Sequence, residues 1–282
     1  MKKRPQVIVL ALLTLPLVWV TRAAAQLDPY EFEVYPYATE GRGMIEIESD
    51  NAVVANGHSQ PGVGTASAAT YRSQGMWYSG EELTYGLTDR IEAAAYVTFA
   101  QPNGHGFWWA GNKLRLRGRL FDENVLPVNL GWYAELEWHK TPQFDDADLE
   151  LELKPIIEKD FGRLSLILNP VFEKPLYGRG HDQGFEFGYR NGAYYRWLRY
   201  LSPGVEFYGG IGLIDDSDPL TDQQHYIFPV LWGELPHGIE YNVGPGFGLT
   251  SGSDHVIMKF NIELERFVGA IFGPTSETGW FF

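Results

Sequence analysis

Cysteine is absent from the 282 residues, which removes disulfide frameworks, thiolate zinc sites and catalytic thiols together. Positive charge is scarce: Lys and Arg number 22 against 36 Asp and Glu, a formal net charge of -14. A surface that neutralises nucleic-acid phosphates needs the opposite balance, so no nucleic-acid partner is expected. Long apolar runs are nearly missing. A membrane helix takes ~20 such residues, and since the N-terminal stretch alone approaches that, a polytopic helical bundle is excluded. Aromatic residues are in surplus: 9 Trp, 16 Tyr and 17 Phe supply more buriable surface than a disordered chain carries.

The first 25 residues read as an export signal. Lys2, Lys3 and Arg4 make a basic start, Gln6 to Val20 an apolar stretch broken by Pro16, and Ala23-Ala24-Ala25 a small-residue cleavage site. An uncleaved anchor helix is the alternative, and the shortness of the apolar stretch argues against it.

Beyond the signal, apolar and polar residues alternate almost everywhere, with no sustained helical period of about 3.6 residues, so the chain is all-β. Ile91, Ala93, Ala95, Val97 and Phe99 share one face of a segment. Leu149, Leu151 and Leu153 oppose Asp148, Glu150, Glu152 and Lys154 in another. About twelve such segments start near Arg42, Thr70, Ile91, Phe107, Val128, Asp148, Leu164, Phe185, Val205, Tyr226, Ile239 and Val256. Short connections such as Thr88-Asp89-Arg90 interleave with longer ones such as Ile214 to His225. This is the rhythm of an up-and-down meander with both chain ends on the tight-turn rim.

Two closures of the meander compete, a soluble barrel with the apolar face inside and a membrane barrel with it outside. Lys113, Arg115, Arg117 and Arg119 take alternate positions of one segment; Glu135 and Glu137 follow on the next, and Glu150 and Glu152 on the one after. If neighbours pair as hairpins, a basic ladder faces acidic ladders across one wall. The second sign is the grouping of Trp77, Trp108 and Trp138 towards the long loops and of Tyr195, Trp197 and Trp232 towards the turns. Aromatic girdles around an apolar band favour a single antiparallel transmembrane β-barrel of about twelve strands. Some residues fit poorly. Glu81 falls on the apolar face, which requires a bulge or a position above the membrane, and Pro155, Pro170, Pro229 and Pro245 lie inside strands, where bulges or ends are expected.

The stretch Glu82-Leu-Thr-Tyr-Gly-Leu-Thr-Asp-Arg-Ile-Glu92 resembles a turn of bacterial outer-membrane barrels grouped with the phenol-degradation meta-pathway proteins. The strand pairs around Gly111 to Phe121 and Glu158 to Pro170 look like later parts of the same group. The likeness spans roughly Asp28 to Phe267. It implies an outer-membrane transport barrel, linked by the group's name to small aromatic compounds, and it brings no catalytic residues. Asp89 and Gly86 in the turn read as structural: Asp89 bonds nearby backbone and Gly86 permits close strand approach.

The expected division is a signal over 1–25, an N-terminal periplasmic segment over 26–41, the barrel over 42–267 and a C-terminal tail or terminal strand over 268–282. Phe267 and Phe282 compete as the final strand end. The expected function is passive passage of small solutes, aromatic or hydrophobic ones included, across a bacterial outer membrane. The lining would comprise Lys113, Arg115, Arg117, Arg119, Glu135, Glu137, Glu150 and Glu152, with Tyr133 and Tyr194 as candidate constrictions. Barrels of ~8 strands are filled by side chains and those of ~16 are open, so the alternative at twelve is a plugged barrel serving structure or ligand binding. Membrane lipid, lipopolysaccharide and the barrel-assembly machinery are the expected partners. His58, His105, His139, His181, His225 and His255 gather near the long connections without close ligand spacing, so no metal or other cofactor is expected. Nor is an enzyme: no Gly-x-Ser-x-Gly motif occurs, and His58-Ser59 is a weak substitute. The acidic loops around Asp145 and Asp215, and the glycines Gly244, Gly246 and Gly248, read as solvated loops and strand packing.

Overall fold

The structure is a computed structural model that describes residues 27–66, 70–141, 143–144 and 147–264. The expected signal and tail lie outside those residues. Twelve strands close on themselves: β1 Ile45–Asn56, β2 Trp77–Gly86, β3 Ile91–Gln101, β4 Trp108–Arg119, β5 Asn129–His139, β6 Ala147–Phe161, β7 Leu164–Gly178, β8 Glu186–Tyr195, β9 Ser202–Leu213, β10 Gln224–Leu235, β11 Ile239–Gly248 and β12 Val256–Leu264. Each pairs antiparallel with its sequence neighbours, and β1 pairs with β12 to close the ring. Most strand starts fall within three residues of their sequence-based positions. The exception is β2, which begins at Trp77 because the residues after Thr70 belong to the long first connection. Below, the end bearing the long connections is the upper end and the tight-turn end the lower.

The choice between the two closures is made by burial, which is inverted relative to a soluble protein. On β4, Lys113 is 2% exposed, whereas the neighbouring Leu114 is 53% exposed. Leu83, Leu116, Leu168 and Leu231 are exposed likewise, while Glu92, Glu135, Glu152 and Arg190 are buried. A water-soluble barrel hides its leucines, so an outer apolar belt around a charged interior is the transmembrane arrangement. Trp108, Trp138, Tyr195 and Trp197 are exposed on the outside. Trp232 is not: it lies inside, its ring 5.0 Å from that of Tyr194, because β10 turns Gln224, Tyr226, Phe228, Val230 and Trp232 inward together.

The two expected irregularities resolve differently. No bulge accompanies Glu81: the β2 register runs unbroken from Ile45↔Tyr85 to Val53↔Trp77, with Glu81 opposite Ser49. Its outward carboxylate accepts hydrogen bonds from the Ser49 hydroxyl at 3.0 Å and the Ser79 hydroxyl at 2.7 Å, which lessens the cost of its place on the apolar face. The prolines occur as facing pairs. The β6–β7 register passes from Leu153↔Phe172 to Ile157↔Leu168, which sets Pro155 opposite Pro170. The β10–β11 register passes from Ile227↔Phe247 to Leu231↔Val243, which sets Pro229 opposite Pro245. Three successive pairings drop out at each place, as happens when both residues of a doubly bonded pair lack an N–H. Facing one another, two prolines concentrate their missing donors at one rung and leave the rest of the ladder whole.

Candidate functional site: a lumen occupied by the chain's own N-terminal segment

The segment expected on the periplasmic side lies inside the barrel. Residues 27–40 run through the lumen from the upper end, where the Tyr30 ring sits 5.2 Å from that of Tyr78, to the lower end, where the Glu40 N–H donates to Glu92 at 2.6 Å. The chain then reverses over Gly41 to Met44, with the Met44 N–H on the Gly41 carbonyl at 2.9 Å, and enters β1. Gly43 takes φ 78, a left-handed value that suits glycine. Gly86 permits the reversal, since a Cβ there would stand 1.9 Å from the Gly41 carbonyl oxygen. The close approach expected of Gly86 is thus to this turn.

The segment stays inside because its side chains match the wall. Glu31, 1% exposed, puts its carboxylate among Lys113 at 2.9 Å, Lys154 at 3.1 Å and Arg190 at 3.4 Å, with the Tyr133 hydroxyl donating at 3.2 Å. Asp28 adds a second anion on Lys113. Further down, the Tyr35 backbone makes a two-way bond with the Asn169 amide, at 2.8 and 3.1 Å, and the Tyr37 N–H donates to Glu158 at 2.8 Å. The Tyr35 ring lies under Arg115 and Arg117, each 5.1 Å from its centroid, and such desolvated cation–π contacts stabilise by about 2 kcal/mol. On the opposite wall the Phe32 ring fills an aromatic box, 5.2 Å from Tyr208, 5.9 Å from Tyr226 and 5.2 Å from Phe228. Lys259 donates to the Phe32 carbonyl at 3.0 Å while also paired with Glu206.

The wall ladders lie where the alternation put them. Lys113 faces Glu137 and Arg115 faces Glu135 across β4–β5; Glu135 faces Glu152 and Glu137 faces Glu150 across β5–β6. Lys113 bridges Glu135 at 3.2 Å and Glu137 at 3.4 Å. Arg115 turns the other way, to Glu82 at 2.5 Å and Glu92 at 3.1 Å, and Arg117 reaches Glu92 at 2.6 Å. Tyr133 is buried in this group, with the Lys154 ammonium 3.9 Å from its ring centre. Arg119 and Glu150 are half-buried at opposite ends: Arg119 donates to the Asp89 carbonyl at the lower rim, and Glu150 lies 3.8 Å from His139 near the upper. Tyr194 stands apart, donating to Glu206 at 2.8 Å on the aromatic side. Sequence reading missed Glu31, Glu82, Glu92 and Arg190 as members. Glu82 and Glu92 share the inward face with Tyr96 and Thr84, and extending the ladder's alternation into β2 and β3 finds them.

The upper end is covered by the first long connection. Asp254, fully buried, accepts hydrogen bonds from the Thr65 N–H at 2.9 Å, the Thr65 hydroxyl at 2.7 Å, the His58 N–H at 3.3 Å and the Ser73 hydroxyl. His58 and His255 meet there with rings 5.6 Å apart; His237 sits in the lower turn between β10 and β11. At the lower end, a vestibule lined mainly by glutamates opens between Glu33–Gly41 and the inner faces of β1, β4, β10, β11 and β12, with Arg115 and Arg117 on its β4 side.

An outward apolar belt, an inward charged wall and a closed twelve-strand ring define a β-barrel of the transmembrane class. The sequence matches no protein-family model and no curated protein. Among solved structures, an outer membrane channel from Pseudomonas putida F1 shares the fold at TM-score 0.57 and 12% identity, covering 82% of this chain and 99% of that one. Weaker likenesses are LpxR from Salmonella typhimurium, at TM-score 0.41 and 10% identity over 78% of this chain and 99% of that one, and a deltaS2S3 mutant of TodX, a monoaromatic hydrocarbon channel, at TM-score 0.38 and 10% identity over 80% and 90%. The resemblance to outer-membrane barrels read from the Glu82–Glu92 turn agrees with the first of these in fold.

Proposed function

We propose that the protein is a passive outer-membrane channel for small solutes whose lumen is closed by its own N-terminal segment and opens when that segment moves. The observation that supports this most is the duplicate pairing of the wall cations. If Glu31 leaves, Lys113 keeps Glu135 and Glu137, while Lys154 and Arg190 keep Glu152. Lys259 likewise keeps Glu206. A departing segment therefore strands no cation, unlike the removal of a buried structural ion, which leaves an uncompensated charge. The vacated space is a charge-lined path bordered by Lys113, Arg115, Arg117, Tyr133, Glu135, Glu137 and Glu152, with Arg119 and Glu150 near its mouths and Tyr194 narrowing the far side.

The solute class follows from what the segment places against the wall. Phe32 fills an aromatic box and Glu31 a pocket of three cations, so a small solute with an aromatic ring or an anionic group competes for one site or the other. Being consecutive residues, the two address opposite walls, and a solute engages one at a time. The protein resides on this reading in a bacterial outer membrane, with lipid and lipopolysaccharide around its belt, inserted by the barrel-assembly machinery.

The test is planar-bilayer recording of the detergent-extracted protein beside a variant lacking residues 27–40. Rare openings in the first and sustained conductance in the second support the channel. Silence from a folded deletion variant overturns it in favour of a plugged barrel with a structural or ligand-binding role, a reading the near-complete burial of Glu31 and Tyr35 also suits.

A further inference from the structure

On the β11–β12–β1 side of the lower lumen the described carboxylates outnumber the cations, although Arg115 and Arg117 border the same vestibule as Glu33. Glu240, Glu263, Glu48 and Glu82 stand directly opposite one another in turn, across β11–β12, β12–β1 and β1–β2. Like charges so placed repel. Glu82 is relieved by Arg115, and Lys259, the nearest ammonium on β12, is engaged by Glu206, Tyr208 and the Phe32 carbonyl. Around this row, one carboxylate oxygen from each of Glu33, Glu48 and Asp50 lies within 4.8 Å of the other two, and one from each of Glu46, Glu48 and Glu263 does the same. A second observation concerns Asp50 alone. It is 1% exposed, and among the described residues neither of its carboxylate oxygens has a hydrogen-bond partner; nor does Glu33 Oε2. Unpartnered buried carboxylate oxygens aimed at two further carboxylates are costly unless something positive sits among them.

We infer that Glu33, Glu48 and Asp50 form a divalent-cation site, of calcium type, that ties the N-terminal segment to β1. Oxygens bound to one calcium at about 2.4 Å are separated by no more than about 4.8 Å, a limit that one oxygen from each of the three carboxylates meets. The donors are all oxygen, without histidine or sulfur, which suits a hard cation. Calcium's loose, high coordination accepts such a set with water completing the shell, whereas magnesium demands a stricter octahedron. Water reaches the site through the vestibule that Glu33 and Glu48 line. Glu33 belongs to the segment and Glu48 and Asp50 to the wall, so the ion is a latch: bound, it holds the two together, and withdrawn, it leaves three carboxylates to push them apart. The site stands whether or not solutes pass.

The experiment is terbium luminescence, excited through tryptophan because Trp232 lines the same vestibule, on the chelator-stripped full-length protein in detergent, with calcium as competitor. Saturable terbium binding that calcium displaces is expected in the native protein and in a loop control, Asp215→Asn with Asp216→Asn, and is abolished in Asp50→Asn with Glu48→Gln. Folding is checked by heat-dependent gel mobility; should the double variant not fold, Glu33→Gln, which alters only the segment, decides the matter by weakening binding at least tenfold. No saturable binding in the native protein, binding untouched by these lumen substitutions, or binding lost in the loop control overturns the inference.

Discussion

Replacing Glu31 by Gln keeps the side chain's shape and removes its charge from between Lys113, Lys154 and Arg190. Breaking a buried ion pair costs about 3–5 kcal/mol where the partner is left alone. Here each cation keeps another carboxylate, and the glutamine still accepts a hydrogen bond. The loss therefore falls towards that of one or two charge-assisted hydrogen bonds, about 2–3 kcal/mol. All of it is borne by the seated segment, since a displaced Glu31 is solvated whichever residue it is. At about 1.4 kcal/mol per factor of ten, the ratio of open to closed barrels rises roughly 30- to 150-fold. Single-channel recording reads this directly as open probability at fixed voltage and salt. The reasoning is refuted if Glu31→Gln stays within about threefold of the native protein while the variant lacking residues 27–40 conducts freely, because the segment would then be held by something other than this anion.

Three further outcomes follow from the same geometry. In the variant lacking residues 27–40, Arg115→Gln with Arg117→Gln leaves Glu82 and Glu92 uncompensated, so the reversal potential in a salt gradient moves towards cation selectivity; an unchanged potential means the ladder does not face the path. Asp254→Ala removes the acceptor shared by Thr65, Ser73 and His58, at a cost of about 3 kcal/mol for several buried donors. Protease then cuts the connection between β1 and β2 while the barrel keeps its heat-dependent mobility, and continued resistance would show that the clasp lies elsewhere. Gly86→Ala drives a methyl into the Gly41 carbonyl; with overpacking at about 1–3 kcal/mol, thermal unfolding in detergent shifts down and openings become more frequent, and no change in either contradicts the close approach.

The strands were legible because a barrel wall imposes a period of two on every residue that crosses it, and Lys113 to Arg119 or Leu149 to Leu153 display it without interruption. The ladders followed from the same arithmetic, as pairing in sequence order fixes which residues face. The N-terminal segment was not legible. It is a strand of no sheet, and its partners Lys113, Lys154 and Arg190 lie 82, 123 and 159 positions along the chain from Glu31. No local pattern records such distances. Trp232 misled because an aromatic at a strand end suits a girdle as well as a lumen, and only the inward run from Gln224 to Val230 settles its side. The prolines looked like faults when taken singly and make sense as facing pairs once the register is known.

The turn at Gly41 to Met44 makes the segment a ligand that can never leave. A few residues separate it from β1, so when it swings out of the lumen it remains near its own site at an effective concentration in the millimolar range or above. A solute that takes its place competes against that standing concentration. Passage is then governed by a threshold: scarce solutes find the lumen occupied, and abundant ones, or those that bind the aromatic box or the cation pocket well, hold the segment aside. Shortening or lengthening the tether would move that threshold without altering any residue of the wall.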